Sequence, residues 1–163
     1  MKITLQPLGS EDGKDILDVF NYYVENSFAA YPEQKLPYEF AGVFMDMCKG
    51  YPSAVARDES GAIAGFGMLR AYNSMPAFAK TAEISYFLKP EFTGKGIGKM
   101  ILEHLVVKAK EKGITSILAG ISSFNEGSIR FHLNNGFIEC GRFKSIGTKK
   151  GRTFDVVYCQ REL

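Results

Sequence analysis

Between residues 98 and 112, Ile101, Leu102, Leu105, Val106 and Ala109 recur three and four residues apart, with charged side chains in the intervals. That period places the apolar residues on one face of a helix. Gly113, just beyond, is the residue type that accepts the left-handed turn of a helix stop. A similar spacing of Ile16, Leu17, Phe20 and Val24 predicts a helix over residues 10–25, capped by Ser10 or Asp12. Another, over residues 37–49, carries Phe40, Val43, Phe44 and Met47 on one side and Gly50 at its end. Elsewhere the pattern alternates. Strands are predicted over residues 3–8, 53–57, 62–72, 81–89 and 115–121, with Asp58-Glu59-Ser60-Gly61 as a hairpin turn and Pro90 as a stop. A short helix over 126–135, ended by Gly136, and a closing hairpin of 137–146 with 153–160 complete the chain.

The resulting order is β-α-α-β-β-β-α-β-α-β-β. The strand–helix–strand unit in its middle requires a parallel crossover. The fold class expected is therefore α/β, in the mixed α+β sense: a central mixed sheet of six to seven strands with helices on both faces.

Composition narrows the function. At 163 residues the chain is long enough to bury a core without metal or disulfide staples, and one domain over residues 1–163 is expected. The net charge of +2, with acidic residues interspersed, lacks the basic stripe of a nucleic-acid binder. The one local cluster, Lys149-Lys150-Gly151-Arg152, reads as a solvated hairpin turn. The opening Met1-Lys2-Ile3-Thr4-Leu5 is too short an apolar stretch for a signal peptide, so none is expected, and no run of about 18 apolar residues predicts a membrane span. Cys48, Cys140 and Cys159 are odd in number and lack C-x-x-C spacing, which fits reduced, mostly buried thiols in a cytoplasmic protein. His104 and His132 are far apart, so no metal site is expected.

The candidate chemistry centres on residues 92–100, F-T-G-K-G-I-G-K-M, which lie between a strand and the clearest helix. Glycines so spaced let backbone N–H groups converge on an anion, usually a phosphate. A nucleotide P-loop fails: with Gly98-Lys99 as its G-K pair, the first glycine falls on Thr93 and the metal-binding hydroxyl on Met100. A dinucleotide fingerprint fails as well, because its last glycine falls on Lys99. A turn that is only structural punctuation remains open from these residues alone.

Three stretches taken together carry a resemblance: Glu83-Ile84-Ser85-Tyr86-Phe87-Leu88-Lys89-Pro90; Gly94-Lys95-Gly96-Ile97-Gly98-Lys99; and Asn125-x-x-Ser128-x-x-Phe131-His132-x-x-x-Gly136-Phe137. They resemble the GNAT family of acyl-CoA-dependent N-acetyltransferases over most of the chain, including the order of elements. Residues 81–86, 128–132 and 146–156 look most like its phosphinothricin acetyltransferase branch. The resemblance implies a single GNAT-type domain that uses acetyl-CoA as co-substrate, no metal, and a small-molecule amine as partner; monomer and homodimer both remain open. Residues Gly94 to Lys99 would hold the pyrophosphate, with Lys95 and Lys99 adding positive potential. The family usually has Arg or Gln where this chain has Thr93, so one side-chain contact would be missing. The pantetheine arm is expected along Tyr86, Phe87 and Leu88 in the manner of an added strand, and a backbone N–H of Phe87 or Leu88 would meet the oxyanion. Asn125 and Ser128 would contact the cofactor; Asn125 also reads as a plain N-cap.

Amide formation from a thioester requires a neutral amine, an oxyanion donor and a proton for the leaving thiolate. Glu83 is the candidate base, directly or through water, since a carboxylate on an otherwise apolar strand calls for a reason; a solvated edge glutamate is the alternative. His132 is the candidate proton donor, against a structural helix residue. The resemblance implies an amine pocket between the 28–32 loop, with Phe28 and Tyr31, and the 72–78 connection, with Tyr72, Met75 and Phe78. The phosphinothricin branch has R-x-A-Y where Met75-Pro76-Ala77-Phe78 stands here, so an apolar amine is favoured unless Arg70 supplies a cation for a carboxylate. Two rivals stay in view: a protein N-terminal or lysine acetyltransferase, and an acyl-CoA-binding module without catalysis.

Overall fold

In a computed structural model describing residues 1–163, the strands are β1 (Thr4–Gln6), β2 (Ser53–Arg57), β3 (Ile63–Ala71), β4 (Thr81–Leu88), β5 (Ser116–Ser122), β6 (Ile138–Lys149) and β7 (Arg152–Glu162). The helices are α1 (Gly13–Asn26), α2 (Ala41–Met47), α3 (Ile97–Glu111) and α4 (Glu126–Leu133). This is the element order expected from the sequence. The strands form one sheet, β1-β2-β3-β4-β5-β7-β6. Every pairing is antiparallel except β4 with β5, the joint crossed by α3.

The alternation of side chains divides the core between the two faces. Val55, Phe66 and Met68 meet Ile16, Leu17 and Phe44 of α1 and α2. Ala54, Leu69, Ala82 and Ile84 meet Ile101, Leu102, Leu105 and Val106 of α3 on the other. Close approach of α3 depends on Gly67: a Cβ there would lie 2.5 Å from Ile101 Cγ2. Asp12 does not cap α1 through its side chain. Its carboxylate accepts the Gly9 N–H at 2.8 Å and pairs with Arg57, tying the start of α1 to β2.

Three local readings change. The expected 37–49 helix is a 3-10 turn at Tyr38–Phe40 followed by a shorter α2. The closing hairpin is longer than its alternation suggests, because register shifts near residues 139–141 and 143–147 break the period of two in β6. Its turn is Lys150-Gly151, with φ of 50° and 72°, the left-handed pair that matches strand twist. Lys150, Gly151 and Arg152 are exposed there. Lys149, expected in solvent, is 1% exposed. No helix is long and apolar enough to cross a membrane.

Candidate active site

The one parallel joint in the sheet does not close. β4 and β5 are in register only from Thr81↔Ser116 to Glu83↔Leu118, so Ile84 to Leu88 have no partner on that side. Which backbone groups face the gap follows from the pairing of β3 with β4. Lys89 N–H donates to Ala64 O and Tyr72 N–H to Thr81 O. With Phe66↔Phe87, Met68↔Ser85 and Arg70↔Glu83 between them, the odd-numbered residues of β4 commit their polar groups to β3. Ile84, Tyr86 and Leu88 therefore turn theirs toward the gap. Of the two N–H groups expected for the oxyanion, Leu88's faces the gap and Phe87's does not. Leu88 O accepts a hydrogen bond from Tyr23 Oη at 2.6 Å.

A cavity of about 850 Å³ occupies this gap and is lined from both faces of the sheet. Arg70, Glu83 and Ser85 reach it from the α1 side, and Tyr86, Ser128 and His132 from the α4 side. Beside it, Gly94 and Gly96 take φ of 71° and 83°, and Gly96 is the N-cap of α3. The first bond of the helix is Met100 N–H to Gly96 O, so the N–H groups of Ile97, Gly98 and Lys99 lack carbonyls one turn back. These unpaired donors, together with an unpaired strand edge, fit a cofactor with an anionic head and an amide-bearing arm. Gly94, Gly98 and Thr93 line the cavity itself, while Lys95 Nζ lies 5.7 Å over the Phe92 ring. No group of three or more His, Cys, Asp or Glu side chains is arranged to hold a metal ion.

Glu83 is 19% exposed and pairs with Arg70, opposite it on β3: Nη2 to Oε2 is 2.8 Å. Arg70 Nη1 also donates to Ser85 Oγ at 2.5 Å. The lone carboxylate on an apolar strand thus has a counter-ion, a partner that alternation alone did not reveal. Asn125 is the N-cap of α4, its Oδ1 accepting the Ser128 N–H at 3.2 Å, and it lines the cavity as well.

His132 differs most from expectation. It is 4% exposed. Its Nδ1 lies 2.7 Å from Ser128 O, which can only accept, so Nδ1 carries the proton. Nε2 then accepts from Tyr86 Oη at 2.5 Å. Burial holds the imidazole below the ordinary histidine range, opposed by the bond to Ser128, and burial raises the Tyr86 phenol. A neutral imidazole so bonded has no free N–H for a leaving group. The hydroxyl it orients belongs to Tyr86.

The expected acceptor residues separate into two groups. Tyr31 and Arg70 line the cavity, joined by Tyr158, which the sequence reading missed because it lies on β7, far along the chain. Phe28 instead packs edge-on against Phe124 and Phe154, at 4.9 and 5.9 Å. Tyr72, Met75 and Phe78 are exposed, the first and last edge to face at 5.6 Å. Pairing of β3 with β4 runs on to Ala71↔Ala82, which carries the 72–80 connection beyond the cavity.

A sheet parted at its parallel joint, with a glycine-opened helix beside the gap, has room for a phosphate-headed ligand with an amide-bearing arm. Residues 16–137 match the model of the acetyltransferase (GNAT) family, and the chain belongs to that family. It is 29% identical over 165 residues to an L-methionine sulfoximine/L-methionine sulfone acetyltransferase of Pseudomonas aeruginosa, covering 100% of this chain and 96% of the relative. A phosphinothricin acetyltransferase from Sinorhizobium meliloti, solved in complex with acetyl-CoA, superposes with a TM-score of 0.93 at 34% identity, over 100% of this chain and 89% of that one. A ribosomal-protein-alanine N-acetyltransferase from Brucella melitensis superposes with a TM-score of 0.92 at 29% identity, over 98% and 99%.

Proposed function

We propose that this acetyltransferase moves the acetyl group of acetyl-CoA to the primary amine of a small, amino-acid-like molecule, within one domain spanning residues 1–163. The observation that carries the substrate class is Arg70, a cation inside the cavity next to the candidate base. Two of its guanidinium nitrogens are engaged by Glu83 and Ser85. Its remaining donors are available to a carboxylate in the fork geometry such pairs prefer. This replaces the apolar acceptor favoured by the sequence, since Met75 and Phe78 lie outside the cavity. The named activities of the relatives on methionine sulfoximine and phosphinothricin support the same class.

In this reading the pyrophosphate rests on the N–H groups of residues 94–99 and the pantetheine arm runs along the free edge of Tyr86 and Leu88. Glu83 takes the amine's proton, directly or through water, as nitrogen attacks the thioester carbonyl. The Leu88 N–H faces the oxyanion. When the C–S bond breaks, the Tyr86 hydroxyl turns its one proton from His132 Nε2 toward the thiolate.

The test is thiol release from acetyl-CoA against matched amines with and without a carboxylate, including L-methionine sulfoximine and an alanine-ended peptide. The carboxylate-bearing small amines should show the higher kcat/KM, and Arg70→Ala should remove the preference. A preference that survives Arg70→Ala would remove Arg70 from the site, and turnover of the peptide alone would favour the protein-acetylating reading. Three free thiols support a cytoplasmic location, which fractionation of the native host would check. Exposed Ile138, Phe143 and Ile146 on the terminal strand β6 support a homodimer around a twofold axis; a solution mass of 18.1 kDa rather than twice that would exclude it.

A further inference from the structure

Residues 27–37 join α1 to the turn at Tyr38–Phe40 without helix or strand, yet they give Ala29, Ala30, Tyr31 and Pro32 to the cavity wall. Such a segment holds one shape only where its backbone groups are tied to something else. Its far end is tied by Asn21, whose amide donates to Leu36 O at 2.9 Å and accepts the Leu36 N–H at 2.8 Å. Its near end is tied by Lys149. The Nζ of this buried lysine donates to Val24 O, Ser27 O and Ala30 O, each at 2.7 Å. An ammonium has three protons, and all three are used.

The arrangement answers a need of α1. A helix leaves its last four carbonyls without N–H partners and presents the negative end of its dipole there. The last turn of α1 has no basic residue of its own. The tip of the β6–β7 hairpin supplies two: Lys149 bonds Val24 O, and Lys150 Nζ bonds Glu25 O. Lys150 N–H further donates to Glu33 Oε1 at 2.9 Å. Beyond the turn, Phe154 stacks on Tyr31 at 5.5 Å and 17°. A single hairpin thus grips the acceptor loop at its backbone and at its ring. None of the groups bonded by Lys149 belongs to β4, α3 or α4, the elements proposed to hold acetyl-CoA.

We propose that Lys149 is a positioning residue for the amine: its ammonium fixes residues 27–32 against the site and so sets acceptor affinity without touching the acceptor. This rests on the acetyltransferase reading above. The test uses Lys149→Met, which keeps the length and loses the donors, and Lys149→Arg, which keeps the charge but spreads its donors in a plane. Expected for Lys149→Met is a KM for the best amine of the panel raised at least about tenfold, with kcat and the KM for acetyl-CoA within about threefold. Amide exchange should accelerate across residues 24–33 and remain unchanged in α3. Lys149→Arg should show the same split to a smaller degree. Unchanged amine KM and unchanged exchange at 24–33 in either variant would overturn the proposal, as would equal losses for both substrates with exchange rising throughout. If Lys149→Met does not fold, Lys149→Arg decides alone. If the parent acetylates no amine in the panel, the functional reading fails, while the exchange comparison still decides whether Lys149 orders the loop.

Discussion

Glu83 and Arg70 face each other across β3 and β4, and this pair sets the first expected outcome. Glu83→Gln keeps the shape and a partner for Arg70 but cannot accept a proton. Turnover of the best amine should fall by about 10²- to 10⁴-fold, the usual cost of removing a general base, with acetyl-CoA affinity within a few-fold. Steady-state kinetics beside a direct binding titration checks it, and near-parental turnover would place the base elsewhere. His132 gives a prediction in pH. Its folded pKa lies below the ordinary value of 6.5 because the ring is buried. The unfolded chain therefore takes up this proton at a higher pH than the native protein. The stability it contributes is complete above about 6.5 and is lost as pH falls toward the folded value. Urea midpoints at pH 7.5 and 5.5 should differ more in the parent than in His132→Gln; an equal difference would mean that the proton enters the native site freely.

At the scale of elements, the turn into α3 is the proposed rest for the phosphates of acetyl-CoA. Gly96 has a φ of 83°, and a Cβ there would meet no protein atom within 4 Å. Gly96→Leu should abolish the thermal response to acetyl-CoA by strain, about 1–2 kcal/mol for a left-handed residue, and by filling the space for phosphate. Gly61, in the β2–β3 turn, has a φ of 85° and equally open surroundings. Gly61→Leu should lose similar stability and keep the response. Equal behaviour of the two variants would count against a phosphate site at Gly96. The contrast also shows what a sequence can carry. Period and punctuation were enough to order the elements and to single out this loop, because both are local. The gap between β4 and β5, the partner of Glu83, Tyr158 in the cavity and the burial of Lys149 depend on strands far apart in the chain. Three positions were misread: Lys149 looked like solvent because lysine usually is, and Met75 and Phe78 were placed in the pocket wall by the resemblance, whose fold puts the β3–β4 connection there. One is paired by carbonyls 119 to 125 residues away; the others sit on a connection that the hairpin carries clear of the site.

At the scale of the whole molecule, β1 to β4 and β5 to β7 form two half-sheets joined through three register pairs. The side chains of α3 fill one face across that joint, but Ile84, Tyr86 and Leu88 have no strand partner on the β5 side. A ligand pairing with this edge would bind the native state alone, since unfolding destroys the gap. At about 100 times its dissociation constant such a ligand adds about 2.7 kcal/mol. For a chain of this size that corresponds to roughly 5–10 °C in Tm. Acetyl-CoA should produce this rise. It should also slow amide exchange at Ile84, Tyr86, Leu88 and along residues 119–122, and leave the outer edge of β6 unchanged. Pantetheine keeps the arm and lacks the phosphates, so it should protect the same strand residues while giving a smaller thermal shift. Protection confined to residues 94–99 would mean that the head binds without the arm crossing the sheet. A Tm unmoved by millimolar acetyl-CoA would remove the cofactor from the gap altogether, and with it the reason for two half-sheets to meet through so short a joint.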